Sequence, residues 1–236
     1  MEISVGEEKV CENLVNGLTV FDDDLDDLVD DLVTNREWSV LSFDPPASSN
    51  MGWACFHVFQ NEARLAESGV LDIPDGTGER LMAIERFIEN LVEKHPCVRA
   101  MCFERAIGNG FAPVREKIGE NTGVIKLVGA NLGVEYVAVH TSTAAKVFTG
   151  SGSAIGKKSR IKRTAKDLFF PNQSYKQIAP DHNGGEKFEH QADAIQFACC
   201  YLMKNGVSVA APGGKLLPIE TKEDDQGDEW GDDGAN

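Results

Sequence analysis

The sequence predicts an α/β domain on a mixed sheet. Three strand-like apolar segments follow one another between residues 38 and 71, and helical and extended patterns then alternate until the chain closes in helices. The first segment, Trp38 to Phe43 (WSVLSF), runs into a turn at Asp44-Pro45-Pro46. Gly52 to Phe59 (GWACFHVF) and Ala63 to Leu71 complete a hairpin-like trio. Turn residues Asp75, Gly76 and Gly78 precede Glu79–Lys94, where Leu81, Ile84, Phe87, Ile88 and Leu91 repeat at helical spacing. Ala100–Phe103 reads as a short buried strand ending at Glu104, and Gly108-Asn109-Gly110 as a loop. A helix over Val114–Asn131, a strand over Val134–Val139, and helices over 143–148, 159–169 and Glu189–Asn205 follow. There is no internal repeat.

Charge divides the chain into three parts. The whole carries 38 acids against 23 bases, a formal charge of −15, which at first sight opposes binding to a polyanion. Eleven acids and two bases lie in residues 1–36, and eight acids and one base in residues 220–236, so residues 37–219 carry about +1. Within that middle, Lys157, Lys158, Arg160, Lys162, Arg163 and Lys166 form a basic run with no acid inside it. Phosphate contacts follow local potential rather than net charge. The expected organisation is an acidic arm (1–36), one domain (37–217) and an acidic disordered tail (218–236). In the arm, Phe21, Leu25, Leu28, Val29 and Leu32 sit at helical spacing among seven aspartates, a surface suited to another protein.

No run of about 18 apolar residues is present, so no membrane span is expected. The acidic MEISVGEEKV start resembles neither a secretory signal nor a transit peptide, and a cytoplasmic location is expected. Six cysteines without a CxxC read as reduced thiols and speak against a zinc site.

Four residues concentrate the chemistry. Asp44 and Glu104 each follow a buried strand, where an unpaired charge is costly. Singly, each also reads as a turn-initiating Asp or a solvated strand-end Glu. His190 and Asp193 stand three apart, on one face of a helix whose continuation, AIQFACCYLM, is apolar almost all round. Such a pair points into the protein or a cleft, the alternative being a bond between them or to the helix N-terminus. Together the four suit a divalent metal, since Mg²⁺ prefers carboxylate oxygens and a histidine nitrogen admits Mn²⁺ as well. Two such ions about 4 Å apart activate water and stabilise the leaving oxygen of a phosphodiester.

The Gly150–Ser159 stretch imitates a P-loop but places Lys158 where Ser or Thr must follow the Gly-Lys pair, and Ser151 where a Gly is needed. Nucleotide binding is rejected there. The loop still offers backbone N–H groups and lysines to a DNA phosphate.

At these residues the chain resembles the RuvC-type Holliday-junction resolvases of the RNase H-like superfamily. Phe43-Asp44-Pro45 with Gly52 resembles the family's opening turn, and Glu104 after Cys102-Phe103 its second carboxylate. Lys146, Thr149-Gly150 and Gly152 through Ser159 resemble its basic segment, and His190-Gln191-Ala192-Asp193 its last motif. The match in order and context extends over roughly residues 38–205. The resemblance implies an RNase H-like fold, with a mixed central sheet flanked by helices, and catalytic, metal-holding Asp44, Glu104, His190 and Asp193. It also implies two Mg²⁺ or Mn²⁺ ions, a homodimer, and paired nicks across a four-way DNA junction. DNA contacts would fall to Lys146, Lys157, Lys158, Arg160, Lys162 and Arg163, with Phe111 as an aromatic wedge. Pro46 replaces a Gly, the loop Gly108–Pro113 differs in composition, and His190 stands where many members carry Asp. The acidic ends are foreign to the pattern and fit a phage-encoded or divergent member. A nuclease of the same fold acting on flaps, forks or hybrids shares all four site residues. An inactive DNA-binding module is a reading of another class, disfavoured because it has little reason to keep buried carboxylates. An actin-like ATPase would need a longer chain.

Overall fold

The computed structural model describes residues 37–45, 49–105, 111–151, 153, 155–179, 186–212 and 216–217. The arm, the tail and the Gly108–Gly110 loop therefore lie outside the described residues. The strands are β1 (Trp38–Asp44), β2 (Asn50–Phe59), β3 (Glu62–Asp72), β4 (Val98–Glu104), β5 (Glu135–Val139) and β6 (Ser208–Ala210). The helices are α1 (Thr77–Lys94), α2 (Ala112–Leu132), α3 (Thr141–Thr149), α4 (Lys157–Phe169), α5 (Tyr175–Ile178) and α6 (Glu186–Lys204).

The six strands form one sheet in the order β5-β4-β1-β2-β3-β6. β1–β2 and β2–β3 are antiparallel, whereas β1–β4, β4–β5 and β3–β6 are parallel. Each of the ten expected elements is present, with bounds moved by a few residues. The single-turn α5 and the three-residue β6 went unpredicted, being too short to show a period.

Helices cover both faces, and strand alternation decides which residue meets which layer. Leu41 and Phe43 of β1, Met101 and Phe103 of β4, and Cys55 of β2 pack with Ile84, Ile88 and Leu91 of α1 and Ile125 and Val128 of α2. Val40, Ala100, Cys102, Ala54 and Phe56 face the other way, onto α3, α4 and α6. α6 is buried through Phe188, Ala192, Ile195, Ala198, Cys199 and Leu202, which explains its all-round apolar sequence. Phe188, Ile195 and Leu202 each contribute roughly 1.5–3 kcal/mol by burial.

β1 and β4 both end at the carboxyl edge of this sheet. Their register pairs Phe43 with Phe103, so Asp44 and Glu104 follow as neighbours, both turned toward α6 by alternation. No described helix is long and apolar enough to cross a membrane.

Candidate active site at the strand ends

α6 reaches the strand ends because a glycine lets it. Gly52 lies opposite Asp44 in the hairpin, and a Cβ there would stand 1.9 Å from the carbonyl oxygen of His190 and 2.7 Å from the nitrogen of Gln191. Only a residue without a side chain allows the helix backbone that close. Ser42 fixes the same junction by donating to the carbonyl of Ala194 at 2.7 Å.

These contacts bring the four expected residues together. His190 Nδ1 donates to Asp44 Oδ2 at 2.6 Å, leaving Nε2 as the ring nitrogen that Asp44 does not engage. Asp193 accepts from Gln196 Nε2 at 2.8 Å, and Glu104 accepts from the Thr141 hydroxyl at 2.5 Å. His190 therefore bonds across to β1 rather than to Asp193.

The site is crowded with negative charge. Burial pushes the Asp193 carboxyl well above its ordinary range, and the charges of Asp44 and Glu104 push it further, against Lys158 and His190. Burial likewise raises Glu104; the Thr141 bond opposes this, Asp44 adds to it, and Lys157 and Lys158 offset part. The bond to Asp44 raises His190, outweighing its desolvation. Such a set lacks positive charge, the condition a bound cation relieves. Carboxylate oxygens with one imidazole nitrogen are donors of the kind Mg²⁺ and Mn²⁺ take. Among the described residues, Cys55, His57 and His95 form a trio whose donor atoms all lie within 4.8 Å of one another, and the strand-end set forms none. The strand-end donors thus spread wider than a single closed site.

The expected basic residues divide. Lys157 and Lys158 open α4, preceded by Gly156 at φ +64°, a left-handed conformation suited to glycine. Lysines at the positive end of a helix dipole are locally unfavourable. What offsets this is the acid opposite: Asp193 and Glu104 draw on Lys157, and Lys158 Nζ lies 3.6 Å from Glu189 on α6. Lys162 bonds the same Glu189 at 3.1 Å, and Arg160 donates to the loop carbonyls of Ser153 and Ile155. Arg163 on α4 and Lys146 on α3 are exposed. Phe111 is 76% exposed at the N-cap of α2. Sequence reading missed Thr141, Gln196 and Ser42, whose polar side chains carry no signal until a partner is beside them. Gly52 was noticed, but not the helix that needs it.

No protein-family model matches the sequence, and no curated protein matches it. Solved structures do. The architecture, a mixed six-stranded sheet with order β5-β4-β1-β2-β3-β6 and helices on both faces, is the RNase H-like fold. Thermus thermophilus RuvC in complex with a Holliday junction substrate is 15% identical with a TM-score of 0.53, over 76% of this chain and 99% of that one. A second Thermus thermophilus RuvC structure is 18% identical with a TM-score of 0.51, over the same shares. Likeness at this identity defines the fold; the chemistry rests on the residues above.

Proposed function

We propose that this chain is a divalent-metal-dependent endonuclease that cuts branched DNA, with the four-way junction as its preferred substrate. The observation that carries the reading is the convergence of Asp44, Glu104 and Asp193 with His190, in which burial and the neighbouring acids raise the proton affinity of Glu104 and Asp193. A protein gains nothing in stability from such a set, and it is retained where a cation is to be held. Asp44, Glu104, Asp193 and His190 Nε2 are the donors for Mg²⁺ or Mn²⁺, and two ions would supply an activated water and stabilise the leaving oxygen of a phosphodiester.

This chain's own residues supply positioning. Thr141 and Gln196 each occupy one carboxylate oxygen and leave the other for a metal. Asp44 orients the His190 ring. Lys157, Lys158 and the N–H groups opening α4 stand beside the acids, where a scissile phosphate would be drawn in. Exposed Arg163, Lys146 and Phe111 remain candidates for DNA contact away from the chemistry.

The preference for a junction, and the homodimer that paired nicks require, rest on the likeness to RuvC bound to a Holliday junction. Incubating the protein with a synthetic four-way junction, a flap, a fork and an RNA–DNA hybrid, with Mg²⁺ and with chelator, tests both levels. Metal-dependent symmetric nicking of the junction is expected. Faster cutting of another substrate would reassign the preference, and no cutting of any would remove the nuclease reading.

A further inference from the structure

A second cluster stands at the opposite end of the β1–β2 hairpin, away from the carboxylates. His57 lies opposite Ser39 at the start of β1, whereas Asp44 lies opposite Gly52. Five strand steps separate Ser39 from Asp44, roughly 16 Å at about 3.3 Å each. Cys55 and His57, two apart on β2, share the face covered by α1. His95, the C-cap of α1, completes the group, and the donor atoms of the three lie within 4.8 Å of one another.

Carboxylates stand behind both imidazoles. His57 Nδ1 is 3.0 Å from Glu37 Oε1, and His95 Nε2 is 2.6 Å from Glu67 Oε1. Glu67 also accepts from Lys94 Nζ, at 2.7 and 2.6 Å. Each ring therefore has one nitrogen against a carboxylate and the other toward its neighbour. The remaining nitrogens, His57 Nε2 and His95 Nδ1, face each other 2.9 Å apart, sharing a hydrogen bond in one tautomer and offering two metal donors in the other. The thiol of Cys55 beside them supplies a third metal donor.

We propose that Cys55, His57 and His95 bind one Zn²⁺, through Sγ, Nε2 and Nδ1, with Glu37 and Glu67 fixing the rings from behind. Imidazoles whose far nitrogen is held by a carboxylate are the arrangement found around bound zinc. Tetrahedral zinc holds N and S donors roughly 3.3–3.7 Å apart, so the trio needs only a small adjustment. The buried thiol, pushed up to about 12 by desolvation, is protonated without metal, and coordination ionises it outright. A solvent-open depression lined by Glu37, His57, Phe59, Glu62 and Arg64 borders the cluster at His57, its most accessible member. The site is structural: it ties the end of α1 to the middle of the sheet. The sequence concealed it because the third donor comes from a helix end nearly forty residues after His57.

The test uses the full-length protein with Mg²⁺ in excess, titrated with Zn²⁺ against a chromogenic chelator, and separately with Co²⁺ followed by absorbance. One Zn²⁺ per chain tighter than about 1 μM is expected, as is a thiolate-to-cobalt charge-transfer band. Cys55→Ser should abolish the band. His57→Ala, at a partly exposed position, should weaken zinc more than the roughly 10–100-fold expected for Glu37→Gln. Asp193→Asn should leave zinc affinity unchanged. Absence of the band, failure to bind Zn²⁺ at micromolar levels, or loss of zinc in Asp193→Asn instead of His57→Ala would overturn the proposal, and the first two would assign the junction to a shared proton.

Discussion

Asp193 shows how one residue is held against its own preference. It is on a helix that is mostly core beyond this point, and its carboxyl is raised by burial and by two neighbouring acids. Each unit of such a rise corresponds to roughly 1.4 kcal/mol against the ionised form. Asp193→Asn is therefore expected to raise the melting temperature of the metal-free protein while abolishing cleavage. Asp44→Asn and Glu104→Gln should also abolish cleavage, all three with junction affinity nearly intact, since affinity comes from phosphate contacts. Gel-shift and nicking assays on the same preparations separate the two properties; a variant nicking at the native rate has no part in the site. His190 allows a finer test. As a ligand through Nε2, it should tolerate His190→Asp with a shift of metal preference toward Mg²⁺, and lose most activity as His190→Ala. Falling stability with unchanged metal preference in both would leave it only the Asp44 bond.

Among the elements, the seat of α6 on β2 and the start of α4 matter most. A methyl group at Gly52 would collide with the His190 carbonyl, which is backbone and cannot swing aside. Gly52→Ala should cost about 1–3 kcal/mol or more and move His190 off Asp44. Denaturant melts should show the loss, and restored cleavage at native stability would refute the close approach. The start of α4 tests charge. Replacing Lys157 and Lys158 by Ala should weaken binding to all DNA and flatten its salt dependence. Because the same lysines offset Glu104 and Asp193, the double variant should also bind metal more tightly, a consequence not shared by Arg163→Ala. An unchanged salt slope would show that the pair serves the carboxylates alone.

At the scale of the molecule, linkage ties stability to pH and metal. Glu104, Asp193 and His190 all have folded pKa values raised above their unfolded ones. Each raised group stabilises fully below its unfolded pKa, and that contribution is lost as pH rises through the folded value. For the two acids the window opens in the ordinary carboxylate range, and for His190 in the imidazole range. Metal-free protein should accordingly melt at lower temperature as pH rises from about 5 to about 8, with a shallower fall in Asp193→Asn. Mg²⁺ should restore stability most at the alkaline end. Thermal melts across that range with chelator and with Mg²⁺ decide it, and parallel curves for native and variant protein would count against the crowded-acid account. The charge map adds one expectation. Trimming residues 1–36 or 220–236 should raise nonspecific DNA affinity at low salt, because each removes a surplus of acids. Equal affinity would favour a basic protein partner for these ends.

Periodicity alone set the class of fold here, because two-residue alternation and 3.6-residue repeats are local consequences of burial on one face. The ends of WSVLSF and AMCF likewise marked Asp44 and Glu104, since a charge beside an apolar run is conspicuous without coordinates. The apolar sweep after Asp193 marked His190 and Asp193 in the same way. Tertiary structure alone decided what each of these touches. That His190 bonds Asp44 rather than Asp193, that Lys158 and Lys162 meet Glu189, and that Thr141 and Gln196 hold the acids are contacts between elements distant in sequence or dependent on side-chain direction. The cluster of Cys55, His57 and His95 makes the same point: two donors are visible as neighbours on a strand, but the third arrives only when α1 ends over them. Local pattern reports which residues are buried; only packing reports against what.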